Sequence, residues 1–283
     1  MAMKKKFFLF ILIIVGVLFA IFGWYAFKDT QTRASLQRAL EIAAPKEPKV
    51  LLTFIVFGDN EGVNPIVERI LEDAKKLGVD FVVNVADLTS HGKKAEYQAV
   101  AETFQQAGVS YYAAIGNNDL GKPISRALFQ QYIRPQTYYS FDAGPAHFVI
   151  LDNADRKVGF DTAQLTWLKA DLNSQKQPYV FLFYHRPVNV PFTEYTGDDE
   201  TPASRSSNAD FVSIIKTYLI TRIYNGHVHL YFPYHLEDIP VRITGGGGAP
   251  PQSFLGGESS AFFHYIKVII TEDGISEAVI PLE

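Results

Sequence analysis

The stretch Val50–Gly62, VLLTFIVFGDNEG, joins a run that is apolar except for Thr53 to a polar turn. An apolar run of this length, stopped by a glycine and an acidic residue, predicts a strand that is buried on both faces. Asp59 follows the run directly and therefore lies at the carboxyl end of the predicted strand. In α/β sheets, ligands bind at that edge, so Asp59 is the first candidate for a functional site.

The same pattern of apolar runs recurs along the chain, and segments of helical periodicity separate the runs. The further predicted strands are DFVVNVA, SYYAAIG, AHFVILDN, YVFLFYH and RIYNGH. The predicted helices are Val63–Leu77, Lys93–Ala107, Thr162–Leu172 and Asn208–Leu219. The tail from Val241 to Pro281 is β-rich. Alternating strands and helices predict an α/β domain over residues 50–283, with a mostly parallel sheet covered by helices.

Five predicted strands end in side chains that can bind a metal ion, and these are Asp59, Asp87, Asn117, His185 and the pair His227 and His229. An Asp after a strand is usually a helix cap or a turn residue, and a lone His is usually structural. Five such ends in one domain instead indicate a common site. Carboxylate, amide and imidazole ligands suit two divalent metal ions such as Mn, Fe, Zn or Mg. Two ions about 3.5–4 Å apart can hold a phosphate ester and activate a water.

The composition excludes several other chemistries. The 283 residues include no cysteine, which excludes a disulfide framework, a thiolate nucleophile and a Cys-bound metal. The net charge of -4, with mixed signs, gives no indication of a nucleic-acid-binding surface. No Gly-x-Ser-x-Gly motif occurs, so a serine hydrolase is set aside.

The N-terminus predicts a membrane anchor. Lys4–Lys6 precede an uncharged run, Phe7–Phe27, that ends near Trp24 and Tyr25. As a helix this run is roughly 31 Å long, close to the thickness of the hydrocarbon core. The lysines favour the cytoplasmic side, so a signal-anchor helix over residues 7–27 would hold an extracytoplasmic domain on the lipid bilayer. The alternative is a signal peptide whose cleavage releases a secreted protein.

Residues 28–49 are predicted to form a linker or stalk between this anchor and the domain. The segment is polar, and Pro45 and Pro48 break any helix at its end.

Five blocks, in chain order, carry a resemblance to a known family. GDNEG, ADLTSHG, GNND, FYHRP and NGHVH resemble the motifs of the calcineurin-like metallophosphoesterases. The resemblance extends from about Val50 to about Leu230. It implies an α/β sandwich of two mixed β-sheets flanked by helices, with a dinuclear site at the strand ends. It also implies hydrolysis of a phosphate mono- or diester by a metal-activated hydroxide.

The resemblance assigns roles by position. Asp59 and His229 correspond to ligands of one metal, and Asn117, His185 and His227 correspond to ligands of the other. Asp87 corresponds to the carboxylate that bridges the two ions. The implied partner is therefore a phosphate ester. The identity of this ester stays open, and so does the oligomeric state of the chain.

Three positions depart from the family pattern. Glu61 stands in place of a His, and it would either favour harder ions such as Mn or Mg through its charge or face solvent and leave one metal weakly bound. Ala86 replaces a Gly, which requires a backbone that tolerates a Cβ. Asn118 replaces a His near the leaving group, and an amide cannot supply a proton. Because general acids contribute about 10²–10⁴-fold, we expect slow turnover or an aryl phosphate substrate.

His91 and the missing histidines leave two alternatives open. His91 could compensate for Asn118 from the opposite side, or it could be a surface residue that caps the helix beginning near Lys93. The replacement of two family histidines also motivates a second functional hypothesis. In that hypothesis the chain is a degenerate, non-catalytic family member that binds a phosphorylated ligand.

Overall fold

The computed structural model describes residues 48–191, 201–253 and 260–283, together with Arg38. The predicted anchor over residues 7–27, and nearly all of the predicted linker over residues 28–49, lie outside these ranges. Among the described residues, no helix is both long enough and apolar enough to cross a bilayer. Lys49–Glu283 forms one compact unit, and the description below concerns this unit.

The unit alternates strands and helices, as the sequence predicts. The strands are β1 (Val50–Phe57), β2 (Phe81–Asn84), β3 (Tyr111–Ala113), β4 (Tyr139–Ala143), β5 (Ala146–Ile150), β6 (Tyr179–Phe183), β7 (Arg222–Asn225), β8 (Tyr231–Leu236), β9 (Ile239–Thr244), β10 (His264–Thr271) and β11 (Gly274–Pro281). The helices are α1 (Pro65–Leu77), α2 (Lys94–Ala107), α3 (Ala127–Tyr132), α4 (Thr162–Ser174) and α5 (Pro202–Ile215), and a 3₁₀ turn spans Asn118–Leu120.

The strands form two mixed sheets. The five-stranded sheet has the order β11-β10-β1-β2-β3, and the six-stranded sheet has the order β4-β5-β6-β7-β9-β8. In the first sheet, β1, β2 and β3 are parallel, whereas β10 runs antiparallel to β1. In the second sheet, β5, β6, β7 and β9 are parallel, and the edge strands β4 and β8 are antiparallel to their neighbours. Two mixed sheets confirm the sandwich that the family resemblance implies.

The sheets pack face to face between two layers of helices. Phe54 of β1 and Phe148 of β5 meet edge to face between the sheets, at a ring separation of 5.2 Å. Ile55 and Phe57, on the opposite face of β1, pack against α1 and α2. The outer face of the second sheet packs in the same way against α4 and α5. Because β1 is covered on both faces from Phe54 to Phe57, that part of its sequence is continuously apolar rather than alternating.

Two predictions from the sequence pattern alone were wrong in detail. The expected single, mostly parallel sheet is two mixed sheets, because β10 returns from the far end of the chain to pair antiparallel with β1. The helix expected over Asn208–Leu219 is α5, which begins at Pro202 and ends at Ile215. Thr201 caps its first turn by accepting a hydrogen bond from Ser204 N at 3.1 Å.

Candidate metal centre

Three buried side chains meet where parallel strands of both sheets end. Asp59 follows β1, Asp87 follows β2 and His185 follows β6. One ligand atom from each lies within 4.8 Å of the other two, and all three residues are buried. Parallel neighbours deliver their carboxyl ends to the same edge, which is why residues far apart in sequence converge here.

Asp59 lies beside two more of the candidate residues. Both of its carboxylate oxygens accept hydrogen bonds from His227 N, at 2.9 and 3.0 Å. His229 Nε2 lies 3.7 Å from Asp59 Oδ1 and 3.6 Å from Glu61 Oε1. Asp59, Glu61 and His229 therefore form one group of potential ligands.

His185 is the centre of a second group. Its Nε2 lies 3.1 Å from Asn117 Oδ1 and 3.3 Å from Asp87 Oδ2. The ring of His227 is 5.0 Å from the ring of His185, centroid to centroid. The structure thus brings together the six residues to which the resemblance assigned metal binding and Glu61, whose role stayed open, in two groups with Asp87 beside the second.

Glu61 and Asn118, two of the departures from the family pattern, contact each other. Asn118 Nδ2 donates a hydrogen bond of 2.9 Å to Glu61 Oε1, and Asn118 N donates one of 2.9 Å to Asp87 Oδ1. The Glu61 carboxylate is therefore directed toward the candidate centre and not into bulk solvent. Asn118 joins the loop after β3 to the carboxylates that follow β1 and β2.

The backbone around the centre adopts an uncommon conformation. In the described part of the chain, seven non-glycine residues have positive φ, and five of them are Asp59, Glu61, Ala86, Asp87 and His227. Residues other than glycine seldom occupy this region, and such residues cluster at functional sites. The value for Ala86, where the family pattern has Gly, is 86°.

Two glycines allow the backbone to approach the carboxylates. A Cβ on Gly116 would lie 2.1 Å from Asp87 Oδ1, and a Cβ on Gly226 would lie 2.4 Å from Asp59 Oδ2. No side chain fits at these distances, so the Gly in each of the GNND and NGHVH blocks is a packing requirement of the site.

Two buried residues hold the site loops in place: Asp119, which the sequence reasoning missed, and Asn153, which the sequence places at a strand end near the site, where a turn role was the favoured interpretation. Asp119 accepts hydrogen bonds from Thr89 N at 2.9 Å and Gly116 N at 2.9 Å, and so ties the loop after β2 to the loop after β3. Asn153 Oδ1 accepts from the backbone N–H groups of His185 and Arg186, at 3.2 and 3.0 Å. In the sequence, Asp119 and Asn153 each lie shortly after an apolar run, and this position was the available indication of their roles.

Arg186 is a second residue that the sequence reasoning missed. Its side chain is buried, and Nη1 donates a hydrogen bond of 3.0 Å to Asn117 Oδ1. A guanidinium is always charged, so the candidate centre has a fixed cation beside the Asn117 amide. The signal was its position directly after His185 in FYHRP.

The electrostatics of the site favour a bound cation. Burial raises the pKa of Asp87 to about 7. Burial, together with repulsion from Asp87, raises the pKa of Asp119 to about 7 and that of Asp59 well above its usual range. Burial and the charge of Arg186 lower the pKa of His185 to about 3, so its imidazole is neutral and keeps a lone pair. Crowded buried carboxylates beside a neutral imidazole are the donor set that fits a divalent cation.

His91 lies at the rim of the site. It lines a cavity of about 590 Å³ together with Asn117 and Asn118. Its side chain is exposed, and Nδ1 lies 3.1 Å from Glu96 Oε1 in the first turn of α2. The structure therefore places His91 against the start of a helix, and its ring is paired with Glu96.

Two mixed sheets between helices, with carboxylates and imidazoles converging at the strand ends, define an α/β sandwich that carries a candidate metal centre. The family described as calcineurin-like phosphoesterase matches residues 52–231, and the chain belongs to that family.

Curated relatives are plant phosphatases. Purple acid phosphatases 13 and 23 of Arabidopsis thaliana are each 30% identical over 121 residues, which is 39% of this chain. The matched part is 21% of the first relative and 25% of the second, so the chain spans about a quarter or less of their length.

Solved structures share the fold at low identity. GAP50, described as the anchor in the inner membrane complex of Plasmodium, matches with a TM-score of 0.63 and 15% identity, over 82% of this chain and 85% of its own. Purple acid phosphatase PPD1 of yellow lupin (Lupinus luteus) matches with a TM-score of 0.60 and 20% identity, over 80% of this chain and 50% of its own.

Proposed function

We propose that this chain is a metal-dependent phosphoesterase that holds two divalent cations and hydrolyses a phosphate mono- or diester. The observation that supports this most strongly is the convergence of Asp59, Asp87 and His185 within 4.8 Å at the ends of strands from both sheets. Membership of the calcineurin-like phosphoesterase family supports the reaction class.

The two groups of potential ligands would hold the two ions. Asp59, Glu61 and His229 would bind one, and Asn117, His185 and His227 would bind the other, with Asp87 shared between them. When bound, the ions supply Lewis-acid charge that activates water and polarises the phosphoryl oxygens.

The chain's own residues orient these ligands. Burial keeps His185 neutral, so its ring nitrogen is available as an electron-pair donor. Arg186 fixes the side-chain oxygen of Asn117, and Asp119 holds the loops after β2 and β3 together. These contacts restrict the ligands to one geometry, which is what a preorganised centre requires.

Asn118 defines the range of esters that the site would hydrolyse. Its amide can donate a hydrogen bond to a developing negative charge, but it has no proton to transfer. We therefore propose that the enzyme favours esters whose leaving group departs without protonation, such as aryl phosphates.

The experiment combines metal content with hydrolysis. Purified protein would be assayed for bound metal per chain, and for turnover of 4-nitrophenyl phosphate and bis(4-nitrophenyl) phosphate with Mn, Fe, Zn or Mg. We expect two ions per chain and turnover that Asp87→Ala abolishes. Asp210→Ala, at an exposed position on α5, is the matched control and should keep the two bound ions and the turnover. A chain that binds no metal, or an Asp87→Ala variant with full turnover, would contradict the proposal.

One observation favours the non-catalytic alternative. Glu61 and Asn118, which replace the two family histidines, hydrogen-bond to each other. Such a pair could stabilise a site that holds a phosphorylated ligand without turnover. Two bound ions and tight phosphate binding, with no hydrolysis of either ester, would favour this alternative.

A further inference from the structure

The cavity beside the candidate metal centre has an unusual lining. Its volume of about 590 Å³ is within the range of small-molecule sites, about 300–1,000 Å³. Asn117 and Asn118 line it on the side of the candidate centre, and Lys93, Lys94 and Lys122 also line it. We call this space the lysine cavity. Because Asn117 and Asn118 also contact His185 and Asp87, the cavity borders the candidate centre.

The lysine cavity is positively charged. None of its described lining residues is acidic. Two carboxylates lie near it: Glu96 accepts hydrogen bonds from the backbone N–H groups of His91 and Lys93, and Glu61 accepts one from Asn118 Nδ2. The three lysines are exposed and outnumber these carboxylates. In the described part of the chain, the three lysines have no salt-bridge partner. The whole chain has a net charge of -4, so the cluster does not follow from a basic composition.

Two of these lysines also stand at a position that is unfavourable for the helix itself. Lys93 is the N-cap residue of α2 and Lys94 is its first residue. The N-terminus of a helix carries a partial positive charge, and it favours acidic residues over lysines. Residues that break a local rule of stability are expected at functional sites. Stabilisation of α2 therefore does not account for lysines at these two positions.

We infer that the lysine cavity binds a second anionic group of the substrate. The inference rests on the proposed function, and it narrows the substrate to a phosphate ester that carries a further phosphate or carboxylate. With the scissile phosphoryl group at the candidate centre, the rest of the ester extends past Asn117 and Asn118 into the cavity. Its second charge then lies among Lys93, Lys94 and Lys122.

Two aryl esters that differ only in charge test the inference. 4-Carboxyphenyl phosphate carries a second anion, and 4-carbamoylphenyl phosphate is its neutral isostere. We expect wild-type kcat/KM to favour the carboxylate roughly tenfold, because exposed charge pairs contribute modestly and three act together. The triple variant Lys93→Gln, Lys94→Gln, Lys122→Gln should bring the ratio of the two kcat/KM values close to one.

A matched control separates the local effect from the overall charge. The triple variant Lys75→Gln, Lys169→Gln, Lys176→Gln removes the same charge from exposed positions on α1, α4 and the loop after α4. It should keep the wild-type ratio. A ratio near one in the wild type, or an equal ratio in all three proteins, would overturn the inference.

Binding to metal-free protein supplies a readout that does not depend on turnover. Calorimetry with inorganic tripolyphosphate at low salt should show binding that weakens about tenfold in the cavity variant and not in the control variant. If no ester is hydrolysed but this difference holds, the proposed function fails and the anion site stands. If esters are hydrolysed but the lysine substitutions change neither the ratio of the two kcat/KM values nor the binding of tripolyphosphate, the anion site is wrong and the proposed function stands.

Discussion

Ala86 holds the backbone before Asp87 at a φ of 86°, a conformation that costs an L-residue about 1–2 kcal/mol. Ala86→Gly removes that cost, but it also removes a buried methyl, about 0.8 kcal/mol, and adds backbone freedom to the unfolded chain, about 0.5–1 kcal/mol. We therefore expect the free energy of unfolding in urea to change by less than about 1 kcal/mol.

The control for this substitution is Ala146→Gly in β5, where the alanine is equally buried and its φ is not positive. With no strain to relieve, this variant should lose about 1.5 kcal/mol. Equal losses at the two positions would show that the conformation of Ala86 stores no strain.

Asn118→His restores an imidazole where the family pattern has one. If proton donation limits turnover, kcat on an alkyl phosphate should rise at least about tenfold, while kcat on 4-nitrophenyl phosphate should change little. Asn118→Gln keeps an amide and serves as the control. If the ratio of the kcat values on the two substrates is the same as in the wild type, the lack of a proton donor does not limit turnover.

The ligand candidates were predictable at the scale of single residues because each follows an apolar run that ends a strand. The supporting residues were not. Asp119 and Asn153 act by accepting backbone hydrogen bonds from loops distant in sequence, and Arg186 acts on Asn117 across the site. Such roles depend on pairs of segments that meet only in the folded chain.

At the scale of elements, His147 joins β5 to its neighbours. Nδ1 lies 2.6 Å from Asp142 Oδ1 on β4, and Nε2 lies 2.8 Å from Asp171 Oδ2 on α4. Burial lowers the pKa of His147, but the hydrogen bonds to Asp171 and Asp142 outweigh it, so the net pKa is raised. A raised pKa stabilises the fold below the unfolded value of about 6.5, and the contribution is lost as pH rises through the folded value.

His147→Gln should therefore destabilise the protein more at pH 6 than at pH 9. At pH 6 we expect a loss of about 1.5–3 kcal/mol in urea unfolding, the range for hydrogen bonds to charged groups. His235→Gln, at an exposed position on β8, should show no such dependence. A difference between wild type and His147→Gln that grows toward pH 9 would contradict the assignment.

The elements differ in how far the sequence predicted them. Periodicity located α1, α2 and α4, because each has one apolar face. It misplaced α5, because the first two turns of that helix contain three serines and an asparagine, and its start is marked only by Thr201 and Pro202. The pairing of β1 with β10 joins residues over 200 positions apart, from Val50 to Thr271, and no local pattern encodes it.

At the scale of the whole molecule, bound metal should raise thermal stability. Ligands that bind only the folded state stabilise it by about 2.7 kcal/mol at a concentration of 100 times Kd. For a domain of this size, that corresponds to a Tm increase of roughly 5–11 °C between EDTA and saturating Mn. Asp87→Ala should lose most of the increase, whereas Asp210→Ala should keep it. Equal increases in all three proteins would show that the ions bind elsewhere.

The predicted anchor is also testable on the whole chain. We expect the full-length protein to sediment with membranes and to stay there at high salt, whereas a chain of residues 49–283 should remain in the supernatant. Intact mass would distinguish the alternative, since signal cleavage would remove the first segment. If the full-length chain keeps its mass and is found in the supernatant, both the membrane anchor and the cleaved signal peptide are contradicted.

Strands of one sheet deliver Asp59, Asp87 and Asn117, whereas strands of the other deliver His185, His227 and His229. The relative position of the sheets is set by the aromatic side chains between them, including Phe54 and Phe148. If these side chains hold metal ions as we propose, substitutions among the aromatic residues between the sheets would shift one set of ligands relative to the other. Residues that never contact a substrate would then influence which metal the centre binds, and selection on activity would also act on the hydrophobic interior.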